Sequence, residues 1–131
     1  MGHEFLDGES VLAFDLETTG ISTNTDRIVQ IALIGSNSTG DTVHYETLVN
    51  PRRPIPPGAS GVHGIFDSDV KGEQDFRHHA DEIHRLIENS VVVGHNIRKF
   101  DMPLLENEFR RIGRLPPKPK AMMDTLEIVR R

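Results

Sequence analysis

Val11-Leu12-Ala13-Phe14-Asp15-Leu16-Glu17-Thr18-Thr19-Gly20 is the stretch on which the reading of this chain turns. Its first four residues form a short apolar run, which predicts a buried strand carrying Asp15 and Glu17 out at its end. Alternation along a strand sends both acids to the same side, two positions apart. Two carboxylates pointing one way repel each other unless a cation sits between them. Hard oxygen donors of this kind suit Mg²⁺ or Mn²⁺ rather than zinc. Thr18, Thr19 and Gly20 then form a turn whose hydroxyls and closely approached amides suit the oxygens of a sugar or phosphate. An isolated Asp-x-Glu is nevertheless common by chance, and its plain explanation is a strand end whose acids face solvent.

A third carboxylate separates the two readings. Asp101 lies in Val91-Val92-Val93-Gly94-His95-Asn96-Ile97-Arg98-Lys99-Phe100-Asp101-Met102-Pro103-Leu104-Leu105. The β-branched run 91–93 predicts a second buried strand, leaving through a sharp Gly94-His95-Asn96 loop. A helix begins near Arg98 or Lys99. Its apolar positions Phe100, Leu104, Leu105, Phe109 and Ile112 recur at helical spacing until Gly113. Pro103 falls near the first turn, where a missing amide costs little. Asp101 is thereby placed in that first turn, beside the preceding strand end, where an acid also gains from the helix dipole.

Around these two segments the chain predicts strands at about 10–16, 27–36 and 41–49, joined by turns at Asn24–Asp26 and Ser36–Asp41 as an antiparallel meander. Pro51 to Gly61 reads as an extended surface loop. A helix at about 75–89 carries Phe76, Ala80, Ile83 and Ile87 on one face. Strand 91–95, helix 98–113, a Pro-rich loop through Pro119 and a fifth strand near Lys120 to Met123 complete the order. Three antiparallel strands followed by α-β-α-β units predict an α/β fold, a mixed five-stranded sheet flanked by helices.

Together these residues resemble the DEDD superfamily of 3′–5′ exonucleases, the group that includes the proofreading subunits of DNA polymerases. Asp15 and Glu17 match its first motif, and Asn96-Ile97-Arg98-Lys99-Phe100-Asp101 its second, with a spacing closer to the TREX-type enzymes. Glu46-Thr47-Leu48-Val49-Asn50-Pro51, Pro54-Ile55-Pro56 and Val62-His63-Gly64-Ile65 match as well. The resemblance implies a ribonuclease-H-like fold and two-metal hydrolysis of the phosphodiester at a 3′ end of DNA or RNA, releasing nucleoside monophosphates in proofreading or repair. Two Mg²⁺ or Mn²⁺ ions, roughly 3.5–4 Å apart, would clamp the phosphate. Asp15 would bridge them, with Glu17 on one and Asp101 on the other. The same resemblance assigns the terminal nucleotide to Leu16, Thr18, Thr19, Gly20, His63, Asn96 and Phe100. It implies single-stranded or frayed 3′ ends as substrate, and a DNA polymerase subunit as partner.

The family's third motif, a His followed five residues later by an Asp, has no counterpart here, because no histidine follows His95. That motif supplies the general base and a fourth metal-binding acid. The expectation is one exonuclease domain over 1–131 that is incomplete at its C-terminus and weakly active or inactive by itself. A non-catalytic exonuclease-like module that binds nucleic acid or a protein partner is the alternative.

Composition agrees with one domain of 131 residues. Without cysteine or tryptophan the chain can build neither a disulfide framework nor a Cys-based zinc site. No apolar run approaches a membrane span and no secretory segment precedes the first strand, so the expectation is a cytoplasmic protein without a membrane partner. The Met1-Gly2-His3 start admits either a cloning scar or a native terminus. A net charge of −5 argues against a broadly basic duplex-binding surface. Among the basic pairs, including Arg130-Arg131, Arg98 and Lys99 are the ones expected to meet a phosphate backbone. His44, His78, His79 and His84 are expected to face solvent, and His95 to be structural.

Overall fold

The computed structural model describes residues 8–129; Met1–His3 and the Arg130–Arg131 pair lie outside them. Strands β1 (Val11–Thr18), β2 (Ile28–Ser36) and β3 (Thr42–Leu48) form the expected antiparallel meander. Strands β4 (Val91–Gly94) and β5 (Ala121–Asp124) add parallel to β1, giving the order β3-β2-β1-β4-β5. Leu12, Phe14 and Leu16 of β1 turn to the core, while Asp15 and Glu17 turn to the other face. Two helices close the core face. One, Phe76–Ile87, buries Phe76, Ala80, Ile83, Leu86 and Ile87; the other, Met102–Arg111, buries Leu104, Leu105 and Phe109. They meet where the rings of Phe76 and Phe109 stack edge to face, centroids 5.0 Å apart.

The segment read as an extended loop is in part helical. Helix α1 (Pro57–His63) and the short α2 (Asp67–Val70) precede the two core helices, α3 (Phe76–Ile87) and α4 (Met102–Arg111), and α5 (Thr125–Val129) follows β5. The sequence conceals α1 because Gly58 and Gly61 are poor helix formers. Pro57 nevertheless starts it well, its fixed φ suiting the first helical position. Tertiary packing supplies the rest. A bulge between Glu17 and Thr18 leaves Val29 as an extra residue in β2, since Gln30 faces Glu17 and Ile28 faces Thr18. Ile28 enters the main core, and Val29 packs instead with Ile55, Ile65 and Val70 under α1 and α2.

The predicted helix 98–113 is corrected as well. Ile97–Asp101 is a π-helical turn, with the Met102 amide bonding back to the Ile97 carbonyl, and α4 begins after it. Pro103 accounts for the wider turn: its ring would crowd the carbonyl four residues back, and it offers no amide. Asp101, with helical dihedrals (φ −61°, ψ −47°), closes this first, π-helical turn and leads directly into α4.

Three side-chain expectations change. His79 is half-buried, its Nδ1 2.6 Å from the Tyr45 hydroxyl, because α3 lies against β3 there. His84 is partly covered by the edge of Phe109. Arg98 and Lys99 are both exposed, but Arg98 is bonded to Glu127 and to the Met122 carbonyl, so Lys99 is the cation of that pair with no ion-pair partner among the described residues. No helix among the described residues is long and apolar enough to cross a membrane.

Candidate active site

The site forms where β1 outruns β4. Strand β4 pairs only with Val11, Leu12 and Ala13, so β1 has no strand partner on that side from Phe14 onward. Gly94 ends β4 against β1: a Cβ there would lie 2.5 Å from the Phe14 carbonyl oxygen, so glycine alone permits the approach. Asn96 then turns the chain in the left-handed region (φ 57°), which Asn tolerates better than most residues. The π turn carries Asp101 back to the open edge of β1, where its Oδ2 accepts the Leu16 amide at 3.0 Å. The third acid thus sits beside a backbone whose neighbours on either side are Asp15 and Glu17. Asp15 and Glu17 lie toward the carboxyl end of β1 and Asp101 on the segment that leaves the carboxyl end of its parallel neighbour β4, the usual place for a site in such sheets.

Their electrostatics register the crowding. Asp101 is 5% exposed, and burial first, then the charges of Asp15 and Glu17, push its pKa up to about 7 against the opposing Leu16 hydrogen bond. Desolvation also raises Glu17, helped by Asp15 and opposed by His63. Asp15 is raised by desolvation, with the Leu16 amide working against it. A donor set made only of carboxylate oxygens, in which Asp15 disfavours the charge of Glu17 and both disfavour that of Asp101, fits a hard divalent cation. Among the described residues, though, no three such side chains already converge on one point.

Beside the acids lies a cleft of about 360 Å³. Leu16, Glu17, Thr18, Thr19, Gly20, His63 and Phe100 line it, together with Ile21, Gly58, Ala59 and Val62. Asp15, Asp101 and Asn96 do not; Asn96 serves through its backbone turn. Ile21 and Val62 are 92% and 86% exposed, too open for core residues, and that exposure cannot be read from sequence. The threonine hydroxyls are already engaged. Thr18 donates to the Gly20 carbonyl, while Thr19 donates to Asp26 and accepts from the Arg27 amide. Asp26 also fills the space beside Gly20, where a Cβ would come within 2.6 Å of it. The turn therefore offers backbone rather than hydroxyls. His63 pins the opposite wall to β1: Nδ1 accepts the Ile65 amide, so Nε2 carries the proton and donates to the Thr18 carbonyl at 3.0 Å.

Asp124, at the end of β5, is a site-building residue that the sequence reading did not single out. Its two oxygens accept the amides of Asn96, Arg98 and Leu126. Desolvation works to raise its pKa, but those three amides outweigh it and leave the pKa lowered. An Asp immediately before a new helix was the signal available.

The Exonuclease (RNase_T) family model matches residues 12–131. The chain belongs to this family. It is 36% identical over 126 residues to a DNA polymerase III subunit epsilon-like protein of Rhodobacter capsulatus, covering 92% of this chain and 17% of that protein. Identity is 32% over 110 residues to the DNA polymerase III subunit epsilon of Treponema pallidum, covering 84% of this chain and 51% of that one. The chain thus spans about half or less of the length of these relatives. The crystal structure of E. coli Exonuclease I in complex with a dT13 oligonucleotide superposes with a TM-score of 0.79 at 24% identity, over 93% of this chain and 29% of that one. The ribonuclease-H-like fold, a mixed five-stranded sheet with helices, is as expected.

Proposed function

We propose that this exonuclease-family chain carries the site of a metal-dependent 3′–5′ exonuclease acting on the 3′ end of single-stranded or frayed DNA or RNA. The observation that carries this reading is the Leu16–Asp101 hydrogen bond, which ties a buried third carboxylate to the backbone of the residue that separates Asp15 from Glu17. A strand end has no structural need for acids arranged so that Asp15 raises the pKa of Glu17 and both raise that of Asp101. Asp15, Glu17 and Asp101 would hold Mg²⁺ or Mn²⁺. When bound, the metal supplies Lewis-acid activation of the phosphodiester. The cleft residues do the positioning: Leu16, Ile21, Val62 and Phe100 give a terminal base an apolar seat, and the Thr18–Gly20 backbone meets its sugar. An unpaired nucleotide reaches such a seat more readily than a stacked one. Relatives include a DNA polymerase III subunit epsilon and a DNA polymerase III PolC-type, which makes a polymerase the partner to test first.

Calorimetric titration of the chain with Mn²⁺, set against Asp15→Ala, tests the metal site; a 5′-labelled oligonucleotide then reports shortening from its 3′ end. Binding that disappears in the variant is the expected result. Equal binding by both proteins would remove the metal reading. The non-catalytic module is favoured by one observation, the incomplete convergence of the acids among the described residues. It predicts oligonucleotide binding that is indifferent to Mn²⁺.

A further inference from the structure

The loop between β1 and β2 walls the cleft with Ile21 and then runs on into a group of arginines. Its far end is held by three side chains. Asn107 donates to the Thr23 carbonyl (2.9 Å), Arg111 to the Asn24 carbonyl (2.8 Å), and Arg53 to the Thr25 carbonyl (2.7 Å). The loop is also braced from within, since Asp26 accepts both the Ser22 amide and the Thr19 hydroxyl. The arginines therefore stand in fixed relation to the cleft.

Their charge is only partly answered. Arg27 and Arg111 share one buried carboxylate, Glu108, at 3.0 and 3.4 Å. Arg53 and Arg110 are exposed, and among the described residues each bonds only an uncharged oxygen, the Thr25 carbonyl and Asn107 Oδ1. A guanidinium with a neutral partner keeps its charge and free N–H groups for an anion. Between Asn24, Asn107, Arg110 and Arg111 a shallow basin of about 310 Å³ opens to solvent. The acids within reach are few. Asp26 is turned inward to Thr19, leaving Glu106 on the preceding turn of α4. The exposed Asp67 and Asp69 lie on α2, Asp67 accepting the Ile55 amide and Asp69 the Phe66 amide.

We infer that this arginine surface is the track for the phosphate backbone of a single strand whose 3′ residue occupies the cleft. Charge chooses the direction: a polyanion leaving past α2 meets two carboxylates, and one leaving over the loop meets guanidinium groups. The scale suits a few nucleotides, since nine residues of helix between Asp101 and Arg110 rise roughly 14 Å. The net charge of −5 agrees, because a narrow positive strip selects one path where a basic surface would bind anywhere. The inference rests on the exonuclease reading of the cleft.

The test is fluorescence anisotropy of the chain with 5′-labelled oligothymidylates of about three and about twelve nucleotides, a length range that single-strand sites span. Each carries a cleavage-resistant phosphorothioate at its last linkage, and Mg²⁺ is present. The long oligonucleotide should bind more tightly than the short one. Arg53→Ala/Arg110→Ala should abolish that advantage while leaving the short one's affinity unchanged, which also reports that the variant folds. Losing two phosphate contacts should lower the slope of log K against log salt by about 1.4. A length advantage that survives in the variant would overturn the track. So would polyglutamate displacing the long oligonucleotide as well as unlabelled oligothymidylate does, which would mark a surface for acidic polypeptides. A short oligonucleotide that binds equally with a free or a phosphorylated 3′ end would defeat the cleft reading alone, and arginine-dependent binding of the long one would still support the track.

Discussion

Leu16 and Asp101 are 85 positions apart in the chain and joined by one hydrogen bond, from the Leu16 amide to Asp101 Oδ2. The bond gives Asp101 a structural duty besides any role as a ligand, and two substitutions separate them. Asp101→Asn keeps an oxygen for the Leu16 amide. Asp101→Ala leaves that buried amide unanswered, at a cost of about 1–3 kcal/mol. Urea unfolding should place Asn near the parent chain and Ala well below it, while calorimetry finds Mn²⁺ binding weakened in both. Mn²⁺ affinity unchanged in Asp101→Asn would take this residue out of the metal site.

The same carboxyl makes stability depend on pH. Its pKa rises from 3.8 unfolded to about 7 folded, burial being the main cause. The native state therefore holds the proton more tightly than the unfolded chain. Its contribution is complete below the unfolded pKa and is lost as pH climbs toward 7. With chelator present, the urea midpoint should fall between about pH 4.5 and pH 8, and Asp101→Asn should flatten much of that fall. A midpoint rising over that interval in the parent, but not in the variant, would contradict the assignment.

Much of this architecture could be read from the chain, and the exceptions share a cause. Strands β1 to β3 announced themselves through alternation and turn residues, and Asp15 and Glu17 came with them. Asp101 could be placed near the site because the run 91–93 and the helical spacing after it are both local patterns. Helix α1 was illegible because it rests, through Ala59, on a cluster of Val29, Ile55, Ile65 and Val70 that Val29 joins through the bulge opposite Glu17 and Thr18. Thr18 and Thr19 seemed available as donors because nothing local reveals Asp26 curling back to occupy one of them. Long-range pairing leaves no period in the sequence.

Asp124 should influence the metal site without belonging to it. Its oxygens hold the amides of Asn96 and Arg98, which set the start of the π turn that delivers Asp101. Asp124→Ala is expected to lower Tm and also weaken Mn²⁺ binding, and Asp124→Asn, with one acceptor oxygen in place of two, to fall between. Its lowered pKa adds a sign: this stabilisation is present above the unfolded pKa and fades as pH falls through the folded one. Mn²⁺ affinity untouched by Asp124→Ala at a reduced Tm would confine the residue to folding.

Glu108 is the costliest polar side chain to remove. It is 1% exposed, pairs with Arg27 at 3.0 Å and accepts the Ile28 amide at 2.9 Å. Sequence alone would place it on the polar side of α4, yet it plugs the start of β2 where the bulge begins. Glu108→Ala strands a partly buried guanidinium and a buried amide together, and breaking such a pair costs about 3–5 kcal/mol. Glu108→Gln retains an acceptor for Ile28 and should lose less. Damage should spread to the cleft, because the Arg27 carbonyl receives the Thr19 amide and ties that loop to the site. Urea unfolding measures the first effect, and affinity for a short oligonucleotide the second. A loss under about 1 kcal/mol for Glu108→Ala would mean that water replaces the carboxylate, and that the pair does not hold this corner of the sheet.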